Sequence, residues 1–114
     1  MKTFAIVNSY GKSRPVGYLR YDSDREEFRI SIAKDVSPNE LPLMLEAFSK
    51  RGVYEVPPEW SLRWVQERIV PPNRQNIGGI LKAHGLQFYD EAAIIENTRG
   101  ICSQDDFELV AVGS

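Results

Sequence analysis

Residues 16–32 read VGYLRYDSDREEFRISI, and the spacing of their side chains decides the fold class. From Val16 to Tyr21 the chain alternates, with Val16 and Tyr18 on one face and Leu19 and Tyr21 on the other. Phe28, Ile30 and Ile32 recur every second residue with Arg29 and Ser31 between them, the pattern of a half-buried strand. DSDREE, residues 22–27, is the polar connection between the two runs. Upstream, TFAIVNS at 3–9 is short and β-rich, and residues 10–15 form a turn. Together these predict a three-stranded antiparallel meander.

Downstream the period changes. Ser37 is placed to cap a helix start, with Pro38 at the first helical position and Glu40 three residues after the cap. Pro42 removes a backbone donor one turn later, so the helix proper is expected over 43–50, with Leu45 and Phe48 inward and Gly52 as its stop. VYEVPPEW is extended, and prolines 57 and 58 open a helix over 59–69. On that helix Trp60, Trp64 and Val65 lie at helical spacing, with Arg63 and Glu67 paired i,i+4 on the other face. VPPN breaks it. Asn73 can cap a helix over 74–84 whose stripe is Ile77, Ile80 and Leu81, ended by Gly85 and Leu86. Asp90 caps a short helix over 91–98 bearing Ile94 and Ile95, and Gly100 ends it. DFELVAV, 106–112, is a final strand with Phe107, Leu109 and Ala111 on one face. The expected architecture is α+β: a small antiparallel β-sheet, the N-terminal meander plus the C-terminal strand, packed with three to four short helices. Residues 1–112 are expected to be a single domain, with Phe28, Ile30, Ile77, Ile80, Leu81, Ile94 and Phe107 buried.

The composition is that of a globular chain. Of 114 residues, 42% are apolar and 26% charged, which excludes disorder throughout. The formal net charge of −2 lacks the basic excess that supplies most of a nucleic-acid binder's affinity. A single cysteine, Cys102, rules out an internal disulfide and points to a reducing cytoplasm. The run Phe4–Val7 is too short for a secretory signal, and no window approaches a membrane helix, so a cytoplasmic location without membrane attachment is expected.

No catalytic constellation emerges. His84 is the only histidine, and neither His-x-x-x-His nor Cys-x-x-Cys occurs, so no metal and no cofactor is expected. His84 falls in the last turn of a helix, where imidazole meets the helix dipole favourably. Asp105 and Asp106 are adjacent in a strand and point to opposite faces, so turn chemistry and solvation are the expected roles rather than acid/base pairing. Gly78-Gly79 is not a phosphate loop, since it follows a helix start and lacks the lysine. Two glycines in a helix imply close backbone packing there, or a shorter helix.

The segment WVQERIVPPNRQNIGGILKAHGL at 64–86, followed by RGICSQDDFELV at 99–110, resembles the N-terminal accessory region of HipA-like serine/threonine kinases. The matching residues are Trp64, Arg68, Ile69, Pro71 or Pro72, Arg74, Ile80, Leu81, Gly85, Leu86, Gly100, Ser103, Asp106, Phe107 and Leu109, and the 16–32 hairpin fits the same region's opening. The kinase core is absent: 114 residues cannot hold it, and no glycine-rich nucleotide loop follows. The resemblance therefore implies a standalone accessory module, like the HipS-like protein of HipBST-type toxin–antitoxin systems, which pairs with a kinase and restrains it. Trp60, Arg63, Trp64, Arg68 and Arg74 are the expected partner-binding residues, since tryptophan and arginine are enriched at interface hot spots. A tryptophan at helical spacing is more often core, but at least one of the two is expected to be partly exposed. Two other readings stand beside this one. A DNA-binding regulator would use the helices at 59–84, where Arg63, Arg68, Arg74 and Lys82 face only Glu67. A phage-borne inhibitor of a host defence protein fits the same composition.

Overall fold

The computed structural model describes residues 2–9, 14–69, 75–87, 89–101 and 105–112. Five strands form one antiparallel sheet: β1 (Lys2–Asn8), β2 (Gly17–Asp22), β3 (Glu27–Ile32), β4 (Glu55–Val56) and β5 (Phe107–Ala111), in the spatial order β4-β3-β2-β1-β5. The meander is as the alternation predicts. Ala5 stands opposite Tyr18 and Tyr18 opposite Ser31, while Leu19 stands opposite Phe4 and Ile30. The C-terminal strand joins β1 rather than β3, with Ile6 opposite Leu109. In the β2–β3 connection, the Asp22 carboxylate accepts the backbone N–H of Asp24 at 3.0 Å, closing the turn from its own side chain.

One face of the sheet is buried. Phe4 and Ile6 of β1, Leu19 of β2, Phe28, Ile30 and Ile32 of β3, and Phe107 and Leu109 of β5 all lie in the core. The other face carries the exposed side chains of Tyr18, Arg20, Arg29 and Val110. Val16 differs from its expected pairing with Tyr18. It precedes the first strand residue and is buried, its carbonyl accepting from Ala33.

The described residues form four α-helices: α1 (Leu43–Lys50), α2 (Pro58–Gln66), α3 (Ile77–Ala83) and α4 (Glu91–Thr98), of which α1, α2 and α4 place side chains in the core under the buried face. α2 packs on β3 and α4 on β5. The Ser37 signal produces a separate 3-10 turn over Pro38–Glu40, in which the Glu40 carboxylate accepts the Ser37 N–H at 3.0 Å. Pro42 forces Leu41 into an extended conformation, so α1 starts afresh at Leu43. α4 begins where Asp90 accepts from the N–H groups of Ala92 and Ala93, as its position predicts.

Two helices are shorter than their periodicity suggests. α2 ends at Gln66 rather than 69. α3 spans 77–83 rather than 74–84, because Asn76 is left-handed and blocks propagation toward the N-terminus. Asn73 lies outside the described residues. With α3 this short, Ile77 and Ile80 are half-buried rather than core, and only Leu81 of the expected stripe is buried. The two glycines differ: a side-chain carbon on Gly78 would meet nothing within 4 Å, whereas one on Gly79 would come within 2.6 Å of the Asn76 side chain.

Candidate docking face

α2 presents two different stripes. Ser61, Trp64, Val65 and Arg68 follow one another at helical spacing and are all buried. Trp60 and Arg63 lie on the outer side and are exposed. The five residues expected to contact a partner therefore separate. Trp60, 39% exposed, and Arg63 stand on the surface. Trp64, 3% exposed, and Arg68, 6% exposed, are buried, so they stand at the floor of the face rather than on its surface. Arg74 and Cys102 lie outside the described residues.

Arg68 is buried because its donors are used. Its Nε donates to the Gly100 carbonyl at 2.8 Å. Nη1 and Nη2 form a two-pronged pair with the Asp105 carboxylate at 3.1 and 2.6 Å, and Nη2 also donates to the Phe107 carbonyl at 3.2 Å. The guanidinium lies over the Trp64 ring, 4.2 Å from its centre. Asp105 also accepts the Phe107 N–H at 3.0 Å, so it sets the start of β5 and holds α2 to it at once. The turn chemistry expected of Asp105 is present, whereas its solvation is largely replaced by the Arg68 pair. Asp106, its neighbour, is exposed. Gly100 is required here: its φ is +61°, and a side-chain carbon would come within 2.8 Å of Leu109 Cδ1.

Burying Arg68 leaves a groove beside it. α1 and α2 run side by side in opposite senses. Phe48, near the end of α1, meets Trp60, near the start of α2, edge to face at 6.2 Å. At the opposite end, a cleft of about 460 Å³ is lined by Pro42, Leu43, Met44 and Ala47 on one side and by Trp64, Glu67, Arg68 and Asp105 on the other. Leu43 is 82% exposed, the most exposed large apolar side chain among the described residues. At the aromatic end, Arg51 lies over the Phe48 ring at 5.0 Å and Arg63 over Trp60 at 4.8 Å. A cleft of mixed lining, apolar on the α1 side and charged on the α2 side, with an exposed leucine at its rim can take a protein segment.

The elements outside this groove offer less. His84 ends α3 and is half-buried. Among the described residues no three metal-ligating side chains cluster, and no helix is long and apolar enough to cross a membrane. Sequence reasoning missed Leu43 because an apolar residue at the first position of a helix looks like one more core residue. The local cationic excess read from 63–86 is reduced by the Arg68–Asp105 pair, which leaves Arg63 and Lys82 as its exposed, described members. No protein-family model matches the chain, and no curated protein or solved structure matches it significantly.

Proposed function

We propose that this protein is a non-catalytic docking module that binds and restrains a HipA-like serine/threonine kinase. The observation that carries the docking half is the exposure of Leu43 at the rim of an open cleft, with Trp60 exposed further along α2. A large apolar side chain that stays in water on an otherwise well-packed domain is a site that gains from being covered. The kinase half rests on the resemblance of residues 64–110 to the kinase accessory region. The module would act by occupying the accessory position on its kinase, so its contribution is contact area and orientation rather than chemistry.

The test is binding to a purified HipA-like kinase. Trp60→Ala should weaken the complex by about 2 kcal/mol or more, roughly 30-fold in Kd. Leu43→Asp should weaken it at least as much. Absence of any complex with the wild-type protein would reject the kinase assignment. A DNA mobility shift at physiological salt would replace it with the regulator reading.

A further inference from the structure

α3 differs from the other helices in what it gives the fold. α1 places Leu45 and Phe48 in the core, α2 places Trp64 and Val65, and α4 places Ala92 and Ile95, whereas no side chain of α3 joins that cluster. Leu81 is the one buried residue of the helix. Its seven residues fall below the roughly 12–15 at which a helix begins to hold alone in water. Two of them, Gly78 and Gly79, are exposed, and each lowers the helix population about fivefold relative to alanine. The N-terminus has no side-chain cap, and Asn76 before it sits at φ +64°, a conformation that asparagine tolerates and a helix does not extend through. The C-terminus is the better closed end: the Gly85 N–H donates to the Lys82 carbonyl at 3.0 Å and the Leu86 N–H to the Leu81 carbonyl at 2.8 Å.

Both flanks of α3 are anchored without it. Arg68, just beyond α2, bonds directly to Gly100, Asp105 and Phe107, so the end of α2 is tied to the start of β5 with α3 bypassed. On the other side, Asp90 caps α4 from its own side chain, and Ala92 and Ile95 fix that helix in the core. Neither anchor passes through residues 75–86.

We propose that α3 is a local opening unit: residues 75–86 unfold and refold as one piece while the sheet and the other α-helices stay folded. In the open state they form a tether between two fixed points, and Ile77, Ile80 and Leu81 enter water together. The fold thus carries an apolar segment that it can release without losing the domain.

Native-state hydrogen exchange, followed residue by residue by NMR as urea is raised, tests this. The N–H groups of Ile80, His84, Gly85 and Leu86 close the turns of α3 and its exit. They should exchange together and faster than the N–H groups of Ile32 and Leu109, which bond to Tyr54 and Arg99 at the sheet. Their exchange should depend little on urea, because a local opening exposes little surface. Gly78→Ala isolates the unit. A side-chain carbon there meets nothing within 4 Å, so the substitution acts on the helix–coil balance alone. It should slow exchange of the α3 set about fivefold and leave Ile32, Leu109 and the urea midpoint unchanged. The proposal is overturned if the α3 set shares the urea dependence of Leu109, if Gly78→Ala raises the urea midpoint, or if Gly78→Ala leaves α3 exchange as it was.

Discussion

Arg68 is the residue on which the C-terminal half depends. It joins the end of α2 to Gly100, Asp105 and Phe107, which are far from it in sequence. Truncation would leave the Asp105 carboxylate and two carbonyls without these donors. Arg68→Ala should therefore cost about 3–5 kcal/mol of stability, read as a lower urea midpoint. Arg68→Lys should recover only part of this, because an ammonium keeps the charge and loses the planar fork. The two tryptophans should behave oppositely. Trp64→Ala creates a cavity and should cost about 3–5 kcal/mol, whereas Trp60→Ala should leave the melting temperature nearly unchanged. The sequence shows two tryptophans four apart and cannot by itself say which is inside. A clue was present in the polar residues: Ser61 and Arg68 bracket Trp64 and Val65 at the spacing of a single stripe. Reading that stripe as apolar only, with its polar members assigned to solvent, hid the buried arginine.

Ser61 acts between elements. β4 has only two residues, so it cannot satisfy the outer edge of β3 alone. Ser61 supplies the missing acceptor: its hydroxyl accepts the Ile30 N–H at 3.1 Å and shares its own proton between the carbonyls of Pro57 and Val56, at 3.1 and 3.3 Å. A helix side chain thus extends the hydrogen bonding of a strand edge. Ser61→Ala would leave a buried N–H unpaired and should cost about 1–3 kcal/mol, with faster hydrogen exchange at Ile30 as the local readout. The other elements differ in how far they were legible. α1 and α4 fall on their expected residues because each carries its own start and stop, as with Asp90 and Gly52. β4 was read only as an extended stretch, since two residues have no period. α3 was overextended because its stripe continues past the point where Asn76 turns left-handed.

At the scale of the whole molecule, three groups among the described residues hold their protons more tightly in the folded chain. Burial, then the nearby Asp90 carboxylate, raises the Tyr21 phenol above its ordinary 10.0. Burial, then Glu91, does the same for Tyr89. The hydrogen bond to Glu96 raises the Lys2 amine above 10.5. Each contributes stability that is complete below its unfolded value and is lost as pH rises through the folded one. The urea midpoint should therefore fall as the pH rises above about 10, and Tyr21→Phe should lessen that fall.

The pairing of β1 with β5 has a consequence for how the protein is made. Phe4 stands opposite Ala111, so β1 waits for a partner that is translated more than a hundred residues later. At roughly 5–20 residues per second, the ribosome delivers that partner about 5–20 s after β1. Through that interval β1 offers an unpaired edge along Thr3–Val7, a run of apolar and β-branched residues without a charge. Once β5 arrives, its own outer edge is covered in turn, with the Leu109 N–H bonded to the Arg99 carbonyl and the Phe107 carbonyl to Arg68. The finished sheet is guarded on this side, and the nascent one is not, so yield during rapid synthesis should depend on chaperones that shield β1.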